Sequence, residues 1–512
     1  MCLLKTICML RQLDNLIDNM TTNDVTVLER QETLDPADWD SLRMLGHKMV
    51  DDMFEYLQQV RQRPVWQPIP ASTKQHFKHS LPRDPQLAED VYEEFVEHIL
   101  PYTKGNIHPR FWSWVEGGGT PLGMLADMLA AGMNPNNAIG DHAAVYVENQ
   151  VIDWGKQMFG FPETATGILL SGASVANITA LIIARNNYDA NIRLHGLRAV
   201  NGQMVVYASA ETHTCVKKAV EVIGIGSHSL HLVPVDEKYR IRTDLLKEMI
   251  ERDKAAGMLP FCIIGNAGTV NTGAIDDLNE LGSICEQEGC WFHVDGAFGA
   301  IPKLLPEFQD QLKGLDRADS LAFDFHKWLY VNYEVACVLI RDGAAHRNAF
   351  SVAANYLLSH ERGLAGGPEP FSNFGMELSR GFKALKVWMS LKENGIEKYK
   401  RLIRQNLRQA QFLSELVQSS DDLELLAGVS LNIVCYRYNP GNISESTLNT
   451  LNKNILMELQ EKGIAAPSYT LLNGRYAIRV AITNHRSRLQ DFEALVFETV
   501  RLGKLLQHNN QA

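Results

Sequence analysis

Ser320-Leu321-Ala322-Phe323-Asp324-Phe325-His326-Lys327-Trp328-Leu329 is the stretch from which the rest of the chain can be read. An apolar run of strand length ends on a carboxylate, and His-Lys-Trp then leads into further apolar residues. Lysine seldom sits in so hydrophobic a setting unless it is paired or chemically used. A desolvated lysine amine has a lowered pKa and can attack carbonyl carbon as a nucleophile. About thirty residues upstream, Trp291-Phe292-His293-Val294-Asp295-Gly296-Ala297 is a second apolar strand that ends on a carboxylate.

A buried lysine and a strand-end aspartate are the two polar handles that pyridoxal 5'-phosphate (PLP) needs. Lysine forms the Schiff base, and aspartate keeps the pyridine nitrogen protonated so that the ring can accept electrons. Either motif alone reads as a solvated loop or an ordinary strand end. The two in this order and spacing, each closing an apolar strand, point to the cofactor.

Whole-chain properties narrow the field. The 512 residues suffice for two or three domains, and 45% apolar with 21% charged content is that of a water-soluble globular protein. A net charge of −11 argues against nucleic acid as a partner, because a phosphate-binding surface is basic. No apolar run reaches the roughly 20 residues of a membrane span, and residues 1–20 lack the pattern of a signal peptide. Eight cysteines without a CxxC pair suit reduced thiols in a cytoplasmic enzyme better than disulfides or a metal site.

Residues 1–34 are polar and unpatterned and read as a loose tail. Residues 35–115 read as a helical segment, with Leu42, Leu45, Met49, Met53 and Leu57 at helical spacing. This segment makes no convincing core of its own, so packing against a second copy of the chain is expected. Within it, Phe111, Trp112 and Trp114 precede Gly117-Gly118-Gly119, and serve equally well as pocket lining or as structural anchors. Residues 116–385 alternate strands and helices, which predicts a mainly parallel sheet with helices on both faces and ligands at the strand carboxyl ends. Within this part, Gly167–Asn177 reads as strand, small-residue turn and helix, the arrangement in which backbone amides approach a phosphate. His213 follows the strand at Met204–Ala208, where a cap or core role is as consistent as stacking on a ring. Glycines and prolines between Ser359 and Phe371 read as a mobile loop, and residues 386–512 as a small α+β domain.

These motifs resemble those of the group II PLP-dependent decarboxylases, the family of aromatic-amino-acid, histidine, glutamate and diaminobutyrate decarboxylases. The resemblance runs from about Asp35 to Arg501 and rests on His108-Pro109-Arg110-Phe111, Ser171-Gly172-Ala173-Ser174, His213, His293-Val294-Asp295-Gly296-Ala297 and His326-Lys327-Trp328. It implies an α/β fold of the PLP-dependent transferase type I, with a seven-stranded sheet, in a homodimer with sites at the subunit interface. Lys327 would be the Schiff-base lysine, Asp295 the partner of the pyridine nitrogen, and His213 and Ala297 would face the ring from opposite sides. Ala173 and Ser174 would bind phosphate, with Asp324 and His326 close by and no metal. The expected reaction is release of CO₂ from an L-amino acid, with Phe111, Trp112 and Phe371 as candidate substrate contacts.

Two positions depart from the family pattern. Aligned back from Leu378-Ser379-Arg380-Gly381-Phe382, the usual proton-donating tyrosine falls on Phe371, which has no transferable proton. Tyr356 and His360 are the alternative donors. Asn266 stands where aromatic decarboxylases tend to carry threonine. Without a donor the reaction could end oxidatively, giving an aldehyde, ammonia and H₂O₂. A catalytically silent PLP-binding protein and an aminotransferase are the remaining alternatives.

Overall fold

The computed structural model describes residues 33–352 and 360–509. The expected tail over 1–34 lies, apart from its last two residues, outside the described residues, and so does Tyr356. By internal contacts the chain divides into two units, one of residues 1–56 and 81–97 and the other of residues 57–80 and 98–512.

In the first unit, residues of helix α1 (Trp39–Gln58) and helix α2 (Ala88–His98) are joined by a hydrogen bond of 2.7 Å from the Tyr92 hydroxyl to Asp52. Few apolar side chains of this unit are buried. Trp39, Met44, Leu87 and Val91 are exposed.

The second unit is built on seven strands: β2 (Thr166–Leu170), β3 (Met204–Ser209), β4 (Leu230–Val233), β5 (Leu259–Asn266), β6 (Trp291–Asp295), β7 (Ser320–Asp324) and β8 (Ala336–Ile340), in spatial order β2-β8-β7-β6-β5-β3-β4. The neighbours from β7 through β6, β5 and β3 to β4 are parallel, and β8 runs antiparallel to both β2 and β7. That reversal explains why β8 follows β7 after a short connection, whereas the parallel strands need helical crossovers. Every residue of β6 and β7 is buried, so both strands read as continuous apolar runs interrupted by few polar residues. Helix α3 (Pro121–Met133) and helix α4 (Ala143–Phe159) precede the sheet, and α4 packs on β2 and β8. Helix α5 (Ala173–Tyr188) lies across β5 to β8, and α6 (Thr214–Val222) packs on α5.

A second sheet, ordered β1-β11-β12-β10-β9, is formed by β1 (Phe111–Trp112), β9 (Leu423–Leu425), β10 (Ile433–Tyr438), β11 (Ala466–Leu472) and β12 (Arg475–Ala481). Its core gathers Trp112, Tyr436, Ile478, Leu456 and Phe492. A long helix runs over Ala384–Gln418, broken at Gly395 with φ 64° and ψ 151°. Glycine takes that conformation without a side-chain clash, so the chain bends there and continues. Among the described residues no helix is long and apolar enough to cross a membrane, and all six described cysteines are buried and unbridged.

Candidate active site

Parallel strands deliver their carboxyl ends to one edge, and here those ends are Asn266, Asp295 and Asp324, with Asn266 and Asp295 directly paired in register. They open into a cavity of about 360 Å³. Eight of the expected residues line it together: Lys327, Asp295, His213, Ala173, Ser174, Ala297, Asp324 and His326.

The lysine is held by its own strand. Its Nζ lies 2.8 Å from Asp324 Oδ2, and Asp324 Oδ1 accepts from the Ala173 amide at 2.8 Å. Burial alone would depress the amine. The charge and hydrogen bond of Asp324, with Asp295 beyond it, outweigh burial and hold the amine above the ordinary lysine value. The lowered lysine pKa expected from the sequence is therefore reversed, because the carboxylate that closes β7 points back at the lysine one turn later. Gly117 makes room for this turn. A Cβ there would stand 2.3 Å from the His326 carbonyl oxygen and 2.5 Å from that of Lys327.

Asp295 is supported from behind by a relay that sequence reading did not find. Asn177 Nδ2 donates to Asp295 Oδ2 at 3.0 Å, which turns the Asn177 carbonyl towards His293 Nε2 at 2.6 Å. Nε2 must then carry the ring proton, and His293 Nδ1 is left to accept from Ser320 Oγ at 2.8 Å. Ser320 Oγ in turn accepts from Trp291 Nε1 at 2.8 Å. Every donor in the chain points towards Asp295. Burial pushes the His293 imidazole down to about 4, so it stays neutral and the aspartate gains donors without a competing charge. The Ala297 amide adds a bond of 3.2 Å to Asp295 Oδ1.

His213 caps α6, accepting from the Cys215 amide at Nδ1 over 3.2 Å. Burial lowers its pKa, so the ring is neutral with its proton on Nε2. Cap and pocket-lining uses therefore coexist in one residue. Opposite, α5 starts at Gly172 without a side-chain cap, and a Cβ on Gly172 would meet nothing within 4 Å. With the Ala173 amide taken by Asp324, the Ser174 amide is the part of this helix start that suits a phosphate. This start, the amine and the relayed carboxylate together fit PLP.

Three residues expected on the substrate side are packed elsewhere. Phe111 is buried with Val65 and Ala466. Trp112 stacks on Phe492 at 4.8 Å and donates to Ser487 Oγ. Phe371 is 2% exposed, with the Arg380 guanidinium 5.1 Å over its ring. The wall is formed instead by Trp114, Val115, Val270, Phe298 and Tyr333, with Glu116 and Glu334. Trp114 is 55% exposed at φ 51°, and the buried guanidinium of Arg479 ties its carbonyl (2.7 Å) to that of Val270 (2.5 Å). Asn266 is engaged on the far side, donating to Asp276 at 3.0 Å and accepting from Thr212 at 3.2 Å. A larger hollow of about 610 Å³ between Trp154, Met158 and Leu391 lacks a comparable cluster. Of its lysines, Lys392 lies over Trp388 and Lys400 pairs with Glu397.

Comparison with known proteins follows the same line. The family described as the pyridoxal-dependent decarboxylase conserved domain matches residues 70–439. An aromatic-L-amino-acid decarboxylase of Bacillus atrophaeus is 33% identical over 473 residues, covering 91% of this chain and 96% of the relative. A phenylacetaldehyde synthase of Arabidopsis thaliana is 29% identical, over 88% and 93% respectively. Among solved structures, Oryza sativa TDC with PLP and tryptamine superposes with a TM-score of 0.86 at 24% identity, covering 93% of this chain and all of that one.

Proposed function

The chain belongs to the pyridoxal-dependent decarboxylase family, and from that premise we propose that it converts an aromatic L-amino acid to its amine and CO₂ with Lys327 as the residue that carries the cofactor. PLP is the cofactor and amino-acid decarboxylation the reaction. The aromatic substrate, the residue roles and a homodimer are our reading. One observation carries it: Lys327, the relayed Asp295 and the helix-capping His213 converge on a single cavity at the carboxyl edge of the sheet.

Bound PLP supplies the electron sink for the bond pair that CO₂ leaves behind. The protein's part is to hold and orient. Asp295, fed by the Asn177 amide, offers a fixed acceptor to a ring N–H. His213, neutral and pinned at Nδ1, offers a flat face that carries no charge to compete with that N–H. Ala297 follows Asp295 closely enough for its methyl to form the other wall. At the start of α5, Ser174 offers its amide to a phosphate, while the neighbouring Ala173 keeps its amide on Asp324 and His326 lies beside them. Trp114, Val115 and Phe298 give the side-chain end of the cavity an apolar lining that suits an aromatic ring.

The aldehyde-forming alternative rested on Phe371 at the donor position. Its burial beneath Arg380 removes that support, and the amine is the product we assign. A homodimer accounts for the exposed Trp39, Met44, Leu87 and Val91 of the leading helical segment, apolar surface that a second copy would cover. The test is a screen of the proteinogenic amino acids with dihydroxyphenylalanine and diaminobutyrate, reading CO₂, amine and H₂O₂ in parallel. Stoichiometric CO₂ and amine from an aromatic substrate is expected. Turnover confined to non-aromatic substrates, or H₂O₂ matching CO₂, would overturn the assignment.

A further inference from the structure

The carboxylate of Asp324 is placed to do more than line the cavity. Asp324 is 1% exposed at the end of β7, and its two oxygens are used for two different purposes. Oδ1 is fixed by the Ala173 amide at 2.8 Å, which takes away the carboxylate's freedom to turn. Oδ2 is thereby aimed at Lys327 Nζ, also at 2.8 Å. The other nearby carboxylate, Asp295, already serves Asn177 and the Ala297 amide. We propose that Asp324 is a positioning residue that latches the Lys327 amine in a charged, parked state and so sets the pH at which that amine can condense with an aldehyde. The proposal rests on the assignment of Lys327 as the cofactor-bearing lysine.

The chemistry makes the latch consequential. Condensation needs the nitrogen lone pair, so the ammonium must first give up a proton. The nitrogen then adds to the carbonyl carbon, the carbon–oxygen bond breaks, water leaves and a carbon–nitrogen double bond remains. For each pH unit below the amine's pKa the reactive fraction falls about tenfold. Burial favours the reactive neutral form, and Asp324 opposes burial. The other groups facing this pair are Asp295 from β6, His213 capping α6, Cys215 from α6, His326 and Tyr333 from the turn after β7, and the wall carboxylates Glu116 and Glu334, which pair with Lys104 and Lys383. His213 and His326 are held neutral by burial, and burial raises the thiol of Cys215. Asp324 is therefore the anion in hydrogen-bonding contact with the amine.

The experiment uses the full-length protein freed of PLP and treated with pyridoxal, which lacks the phosphate and so separates the latch from phosphate binding. Adduct formation is followed by absorbance across a pH series and located by borohydride reduction and peptide mass. Asp324→Asn keeps an acceptor for the Ala173 amide and removes the charge. Its rate near neutral pH should rise about tenfold or more, with the midpoint of the profile moved to lower pH. Profiles that coincide for the two proteins would overturn the latch. A second measurement needs no variant. Lys327 of the wild-type protein, reductively methylated with ¹³C, should titrate at or above the ordinary lysine value of 10.5. A midpoint below about 8, the range of a lysine tuned for catalysis, would overturn it equally. A label that lands on a different lysine would sink the cofactor assignment itself, whereas a label on Lys327 with an unchanged profile would sink only the latch.

Discussion

Asn177 stands between Asp295 and His293, giving its amide to the carboxylate at 3.0 Å and its carbonyl to the imidazole at 2.6 Å. It is fully buried, one helical turn inside α5.

Asn177→Ala strands an Asp295 oxygen and the His293 N–H together. Each unsatisfied buried group costs about 1–3 kcal/mol. A drop in thermal midpoint, weaker PLP binding by fluorescence titration and a fall in kcat of about tenfold or more are expected. Asp295→Ala should lose kcat far more than PLP affinity. Comparable turnover in either variant would refute the relay.

Gly117→Ala tests the turn that carries the lysine. The added methyl would meet two carbonyl oxygens, those of His326 and Lys327, well inside contact distance. The turn must move, and a displacement of about 1 Å at a reacting group can cost a hundredfold in rate. Purified protein should hold less PLP per chain and show kcat reduced by about that factor. Wild-type PLP content and kcat would contradict the packing.

Glu148 and Arg380 form a buried ion pair, with Glu148 also accepting from the Leu169 amide and Phe371 stacked under the guanidinium. Removing one partner leaves the other charge uncompensated, at about 3–5 kcal/mol. Arg380→Met should lower the denaturation free energy by that amount. Phe371→Tyr, read by kinetics, should leave the product as amine, since this ring lies outside the cavity.

Buried histidines give the fold a defined acid limit. His293 and His346 both have imidazoles pushed down to about 4 by burial, against about 6.5 in the unfolded chain. Between those values the unfolded chain binds protons that the folded chain refuses. Stability is therefore complete above about pH 6.5 and is lost towards pH 4, at about 1.4 kcal/mol per pH unit for each histidine. Urea titrations across this window should show the loss, and His346→Gln should flatten its slope. Stability that stays level down to about pH 5 would contradict the assignment.

The scaffold was legible where burial leaves one option. Strands covered on both faces must be apolar from end to end, which is why Trp291–Asp295 and Ser320–Asp324 stand out, and why their terminal carboxylates mark the site. Side-chain destinations were less legible. Phe111, Trp112 and Trp114 sit within four positions of one another, and only the partnering of β1 with β11 buries the first two and leaves Trp114 at the cavity. Asn177 carried a usable signal, because it follows Ala173 by four residues and so shares the helix face of a residue that lines the cavity. The raised pKa of Lys327 was hidden because sequence separates the lysine from Asp324 by three positions without saying that a turn folds one back on the other.

The central claim, that Lys327 carries PLP, is tested most directly by borohydride reduction of the purified protein after incubation with the cofactor, followed by peptide mass analysis. A phosphopyridoxyl group on Lys327, absent when Lys327→Ala is treated alike, is the predicted result. A colourless protein with no modified lysine, or the label on another side chain, would contradict the account.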